Sequence, residues 1–126
     1  MISQQTDVAA IKQALEDYYF NGSYEGDLNK LQRIFHQDAL LFGDVKGQPY
    51  AKTFPEWLEV VGNRQSPKDS GKPFKGDILN VRVVNSVAVA EVHVKAYDMF
   101  YHDFLSLHRV DGNWVIVNKI MSGVSQ

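Results

Sequence analysis

His102-Asp-Phe-Leu-Ser-Leu-His-Arg-Val-Asp-Gly-Asn-Trp-Val-Ile-Val-Asn-Lys119 is the stretch that decides the fold. Apolar residues alternate along it on both sides of Asp111-Gly112, and an Asp-Gly pair between two such runs is the strongest short-range hairpin signal. Working back toward the N-terminus, the same period of two begins at residue 76. It predicts strands over 76–84, 87–97, 101–110 and 113–121. Asn85-Ser86 supplies a second tight turn, and Tyr97 to Phe100 a looser one. Turns this short join antiparallel neighbours.

Before residue 76 the period is helical. Over residues 6–21, Val8, Ile11, Leu15, Tyr18 and Tyr19 recur on one face, with Thr6 or Asp7 as cap and Gly22 as the end. A second helix follows Asp27, a good N-cap, with Leu28, Leu31, Ile34 and Phe35 on one side and His36 at its end. Leu40-Leu41-Phe42 reads as a short strand closed by Gly43-Asp44. Thr53-Phe-Pro-Glu56 is a capping box that starts a third helix, with Pro55 in the first turn, Trp57, Val60 and Val61 on one face, and Gly62 at the close. Residues 62–74 form a polar loop, expected to be the most flexible segment. Three N-terminal helices packed on a curved, mostly antiparallel sheet is an α+β layout. A curved sheet wrapped around helices makes a cone, and the open end of a cone suits a small ligand.

At 126 residues the chain is expected to form one domain, 1–126. A net charge of −2 without a basic stripe argues against nucleic acid as a partner. No cysteine means no thiol nucleophile and no thiolate metal site, and it fits a reducing cytoplasm. Residues 1–7 lack the basic and apolar regions of a signal peptide. No apolar run approaches the ~20 residues that cross a bilayer, so no membrane association is expected.

Three segments together resemble the nuclear-transport-factor-2-like superfamily, the cystatin-like cone of SnoaL-like proteins and steroid isomerases, and within it a bacterial group described as lumazine-binding. Gly26-Asp-Leu-Asn-Lys-Leu-Gln-Arg-Ile-Phe-His-Gln-Asp-Ala39 is similar to the family's second helix and its ending. Val87-Ala-Val-Ala-Glu-Val92 resembles its central strand, and His102 to Lys119 its closing hairpin. The resemblance implies a cone with a pocket and a homodimer through the outer face of the sheet. It also implies where a steroid isomerase would keep its catalytic Asp, and that position is Gly43 here, with Asp44 one residue late. The matching acidic donor falls near Ser106, which cannot act as a protonated carboxylic acid. Steroid-isomerase chemistry is therefore not expected.

Asp103, beside Tyr101, Phe104 and Leu105, is the best catalytic candidate, because a carboxylate among aromatics suits general acid–base work. Its alternative role is an ion pair with Lys119 or a backbone contact across the hairpin. Tyr18 and Tyr19 point about 100° apart, so at most one of them faces the pocket squarely. Tyr18 is paired with Asp103 as the catalytic set. Tyr18, Tyr19, Phe35, Phe42, Trp57, Phe104 and Asn118 are the ligand-binding candidates. Trp57 can stack on a flat ligand or fill core, and Trp114 staples the hairpin to a helix. By alternation Asn118 faces inward with Trp114, Ile116 and Ile120, and Lys119 faces outward to a surface salt bridge. On the strand 87–97, Ala88, Ala90, Val92, Val94 and Ala96 face the helices, whereas Glu91, His93, Lys95 and Tyr97 face out. His36, His93, His102 and His108 lack metal-ligand spacing, so neither a metal nor a cofactor is expected. Arg64, Lys68, Lys72 and Lys75 can draw an anion to the pocket mouth.

These residues point first to a protein binding a small hydrophobic or aromatic molecule in the cone. A cofactor-independent isomerase or dehydratase built on Asp103 and a Tyr of the first helix is the alternative. A homodimeric interaction module without ligand is the third reading.

Overall fold

In the computed structural model, which describes residues 4–126, six strands form one sheet. They are β1 (Phe35–Val45), β2 (Gln48–Thr53), β3 (Lys75–Val84), β4 (Val87–Ala96), β5 (Met99–Val110) and β6 (Asn113–Ser125). Their order across the sheet is β2-β1-β6-β5-β4-β3. All neighbours are antiparallel except β1 and β6, which run parallel. The helices lie against one face, giving the α+β cone that the alternation implied. Asp111 and Gly112 both take positive φ, at 50° and 81°, as a two-residue turn matching the strand twist requires. Tyr97 and Asp98 do the same at 53° and 63°, so that turn is as tight as the others.

The first helix is longer than its apolar pattern. α-Helical Gln4–Ala14, π-helical Leu15–Phe20 and α-helical Asn21–Glu25 run on as one rod, α1. Thr6 and Asp7 therefore sit inside α1 instead of capping it. Asp7 is buried and ion-paired to Arg109 of β5 at 3.0 Å. Gly26, at φ 68°, ends the helix in place of Gly22. Leu28–Ile34 forms α2, and the Asp27 carboxylate accepts from the Lys30 N–H as expected. Phe35 and His36 belong to β1, not to the end of that helix. Phe54–Asn63 forms α3 with both hydrogen bonds of the capping box in place. Pro67–Ser70 is a single turn, α4, inside the stretch read as loop. Strand β2 was not foreseen. Its sequence carries Pro49 and little apolar alternation, both tolerated because β2 is an edge strand.

Three register irregularities shape the sheet. Leu79 is an extra residue in β3 opposite β4, β1 slips between Phe35 and Leu40 against β6, and Val117 is an extra residue in β6 opposite β5. Bulges bend a strand and increase its twist, which curls this sheet over α1 and α3. The Val117 bulge also reverses which residues of β6 face inward. Trp114 and Ile116 are buried before it, and Lys119 and Met121 after it. Ile120 is exposed, and Asn118 lies on the same outer side. The expected inward Asn118 and outward Lys119 are thus exchanged. The core between sheet and helices is apolar, with Ile11, Leu15, Leu31, Leu41, Leu105 and Ile116 fully buried. Among the described residues no helix is long and apolar enough to cross a membrane.

Gly43 is the tightest point of the β1–β6 seam. A Cβ added there would lie 1.9 Å from the Met121 carbonyl oxygen, at φ 151°. Gly43→Ala is expected to destabilise the fold by about 3 kcal/mol or more. Gly47→Ala, in an open turn with nothing near its Cβ, should cost about 1 kcal/mol. Urea unfolding midpoints of the two variants test this ranking.

Candidate functional site

The inner faces of β4, β5 and β6 converge with α1 and α3 on a hollow of about 200 Å³. An apolar cavity of ~150 Å³ accepts benzene, so this one has room for a substituted ring. Its floor is polar. Asp103 is 1% exposed, and the Tyr19 hydroxyl donates to its Oδ2 at 2.9 Å. Lys119 Nζ lies 3.8 Å from the same oxygen, and it sits 5.2 Å from the Tyr19 ring centroid and 5.1 Å from that of Trp57. The other oxygen, Asp103 Oδ1, is buried and accepts no hydrogen bond from the described residues. A buried carboxylate oxygen without a donor costs free energy, and a ligand donor in the hollow would supply what is missing.

Local sequence explains how these side chains meet. Asp103 follows the tight Tyr97-Asp98 turn by a few residues on β5, at the inward phase shared with Leu105 and Leu107. Lys119 reaches the same side of the sheet only through the Val117 bulge. Tyr19 lies in the π-helical stretch of α1, and such stretches concentrate at functional sites. Burial raises the Tyr19 phenol well above its ordinary value, and the Asp103 charge and hydrogen bond add to this. Burial lowers the Lys119 ammonium below its ordinary value. The Asp103 charge opposes that shift and the Arg64 charge adds to it.

The walls are apolar and aromatic, formed by Trp57, Phe74, Val94, Ala96, Tyr101 and Met121. Tyr50, Lys52, Arg64 and Tyr97 lie toward the loop side. Lys52, Arg64 and Lys119 against Asp103 alone make three cations to one anion, a net +2 in a chain of net −2. Such a hollow favours a ligand with a carbonyl, phenolate or carboxylate group. The segment expected to be most flexible is tied down around it. Ser66 caps α4, the Arg64 guanidinium lies 5.1 Å from the Tyr97 ring, the Tyr97 hydroxyl donates to the Gln65 carbonyl, and Lys72 pairs with Asp98 at 2.7 Å. Tyr97, expected on the outer face, is turned inward to this rim.

Of the candidate residues, the fold brings Asp103, Tyr19 and Trp57 together in the hollow. Tyr18 points elsewhere: Arg33 stacks 4.7 Å from its ring, and it lines a separate groove beside Trp114. The pairing of Tyr18 with Asp103 is therefore replaced by Tyr19. Phe35 stands behind the wall, stacked on Phe54 at 4.7 Å and packed against Trp57 and Tyr19. Phe42 and Phe104 are 43% and 47% exposed on the outer face of the sheet, and Asn118 lies on that face with them. None of these three touches the hollow. Lys119 was expected as an ion-pair partner of Asp103, which it is, but not as a residue lining the hollow; Tyr101, Tyr50 and Lys52 were missed. The signal for Lys119 was a lone cation between Asn118 and Ile120 in a strand otherwise built for burial.

Gly43, where a steroid isomerase would carry its base, is on the inner side of β1, whereas Asp44 is exposed. On the outer face His93 Nε2 meets His102 Nδ1 at 3.0 Å, and His102 Nε2 meets Glu91 at 2.6 Å. His36 accepts from the Asp38 N–H on β1. Among the described residues no three acidic or imidazole groups gather to hold a metal.

The chain belongs to the family described as "Putative lumazine-binding", whose model matches residues 6–122. It is similar to an aldolase, FrzH, of Cladobotryum sp., with 24% identity over 102 residues, 81% of this chain and 80% of that protein. Among solved structures, an NTF2-like protein of unknown function from Silicibacter pomeroyi superposes with a TM-score of 0.86 at 23% identity, covering 98% of this chain and 100% of that one. One from Shewanella baltica gives 0.86 at 23% identity over the whole of both chains. A third, from Methylobacillus flagellatus, gives 0.82 at 25% identity, covering 98% and 96%. The fold is thus nuclear-transport-factor-2-like.

Tyr19→Phe should cost about 1.5–3 kcal/mol, the range for a hydrogen bond to a charged group. The pH profile carries the same bond. A folded-state pKa above 10.0 means that the Tyr19 contribution is complete below pH 10 and is lost as pH rises beyond it. Chemical denaturation of wild type and Tyr19→Phe across the alkaline range should show that decline flattened in the variant.

Proposed function

We propose that the protein binds a small aromatic or unsaturated molecule in the cone, its ring against Trp57, Tyr19 and Tyr101 and its polar group toward Asp103 and Lys119. The observation that carries this reading is Asp103 itself. Its Oδ1 is buried in an aromatic-walled hollow without a donor among the described residues, an arrangement whose cost a hydrogen-bonding ligand offsets. Family membership and the surplus of positive charge support the same reading. A heterocycle rich in carbonyl groups, of the kind the family description names, fits that chemistry.

A second reading has a specific observation behind it. The Tyr19 hydroxyl holds Asp103 on one oxygen and leaves the other available. That is the arrangement of a positioned general base, with Tyr19 as the proton-donating partner. The aldolase name of one relative favours carbon-acid chemistry over simple storage. In this reading Asp103 removes a proton beside a ligand carbonyl and no cofactor takes part.

The outer face offers a surface for a second copy of the chain. Phe42, Ile120 and Phe104 stand in one row across β1, β6 and β5, all more than 40% exposed, and Leu40 and Val89 flank them. A contiguous apolar row of this kind marks an interface. The proposed homodimer predicts that Phe104→Lys shifts the sedimentation velocity from dimer to monomer while the fold persists.

Native mass spectrometry of protein from its own host should display one retained small molecule per chain. Titration with that molecule should show affinity weakened about 3–10-fold by Trp57→Ala, the range for one aromatic contact, and unchanged by Phe42→Ala. If turnover occurs, Asp103→Asn should slow deuterium exchange at the ligand's acidic carbon by about 10²–10⁴. An unaltered exchange rate would exclude Asp103 as base.

A further inference from the structure

We propose that Lys119 is a covalent site for carbonyl compounds, forming an imine through its Nζ. The inference rests on reading the hollow as a small-molecule site and adds the bond chemistry. Three geometric facts carry it. Lys119 is only 6% exposed and yet lines the hollow, so its amine meets whatever enters. Its nearest carboxylate, Asp103, stands at 3.8 Å, beyond hydrogen-bond length but close enough to exchange protons through a bound water or substrate oxygen. The rings of Tyr19 and Trp57 flank the nitrogen at just over 5 Å and hold the side chain along one line. Pairing with Asp103 accounts for a cation at this place but does not require the amine to line the hollow, and a buried ion pair rarely adds net stability over apolar packing. Burial of the amine also favours its neutral, nucleophilic form.

The step balances without a cofactor. The neutral Nζ lone pair attacks the carbonyl carbon, a C–N bond forms, and the C=O π pair moves to oxygen. Asp103 takes one proton from the nitrogen and delivers it to that oxygen, which leaves a neutral carbinolamine. The nitrogen lone pair then forms C=N as the C–O bond breaks, and Asp103 carries the second amine proton to the departing hydroxyl, which leaves as water. The carbonyl oxygen and the two amine hydrogens thus depart together. Transfer of a neighbouring C–H proton to the imine nitrogen through Asp103 then yields an enamine, a carbon nucleophile. The ligand class is a ketone or aldehyde with an acidic α-carbon, and the cations Lys52 and Arg64 in the same lining favour one that also carries an anionic group.

The test uses the full chain and pentane-2,4-dione, which condenses with unprotonated amines to a stable conjugated adduct. Near neutral pH, intact mass should rise by one diketone less one water. Peptide mapping should place the adduct on Lys119 ahead of any of the other eight lysines, since burial holds a larger share of this amine in its neutral form. Lys119→Met should lose this adduct. If that variant does not fold, the site map on wild type decides alone. Binding of benzenesulfonate, a one-ring anionic aromatic without a carbonyl, is followed by NMR in parallel. Benzenesulfonate bound in the hollow with the Lys119 peptide unmodified would overturn the covalent role and leave the binding reading standing. Neither benzenesulfonate binding nor adduct would overturn both. Adducts spread evenly over the surface lysines would overturn the covalent role.

Discussion

A carboxylate cannot be buried alone, and the answer this chain gives to that constraint shapes its centre. Asp103 is closed off from bulk water, so its charge must be met by neighbours. Tyr19 meets one oxygen from α1, and Lys119 approaches the same oxygen from β6. Each partner depends on a departure from regular structure. Tyr19 sits in a π-helical stretch, and Lys119 faces inward only because Val117 adds one residue to β6. With a regular ladder and strict alternation, the lysine would point to solvent and the carboxylate would lack a cation. The two irregularities are thus linked to one buried charge, and the hollow is the space that remains around it.

The apolar walls follow from the same geometry. Small residues on the inward phase of β4, Ala88, Ala90 and Ala96, keep that strand from filling the cone. Phe35 stacks on Phe54, and both pack at a tilt against Trp57 and hold its indole at the wall. The segment after α3 is pinned by Arg64 on Tyr97 and by Lys72 on Asp98. The result is an apolar-walled site with a polar floor, which is what orientation of a small ligand demands.

The four C-terminal strands, the capping box before α3 and the α2 cap at Asp27 were legible because each rests on local chemistry: a period of two, a Thr–Glu pair three apart, an Asp before a helical run. The family resemblance, read from the closing hairpin and the second helix, carried the cone. What was not legible depended on contacts between distant residues. Alternation counted straight through Val117 and so exchanged Asn118 with Lys119. A helix of 3.6 residues per turn gave no reason to choose Tyr19 over Tyr18; the π-helical stretch and the long-range bond to Asp103 make that choice. Phe42 and Phe104 looked like pocket residues because they are large and apolar, yet they lie on the outer row. Asp103 was found because a lone acid in an apolar strand is a signal that needs no partner to be seen.

A ligand held in the hollow sits against Asp103 and Lys119. Met121 lines that hollow, whereas Met99, also buried, does not. NMR of methyl-labelled methionine during titration with benzenesulfonate therefore reads the location of binding directly. The Met121 methyl resonance should move in saturable fashion while Met99 stays in place. A still Met121, with the ligand perturbing only groups on the outer face of the sheet, would contradict a binding site in the cone.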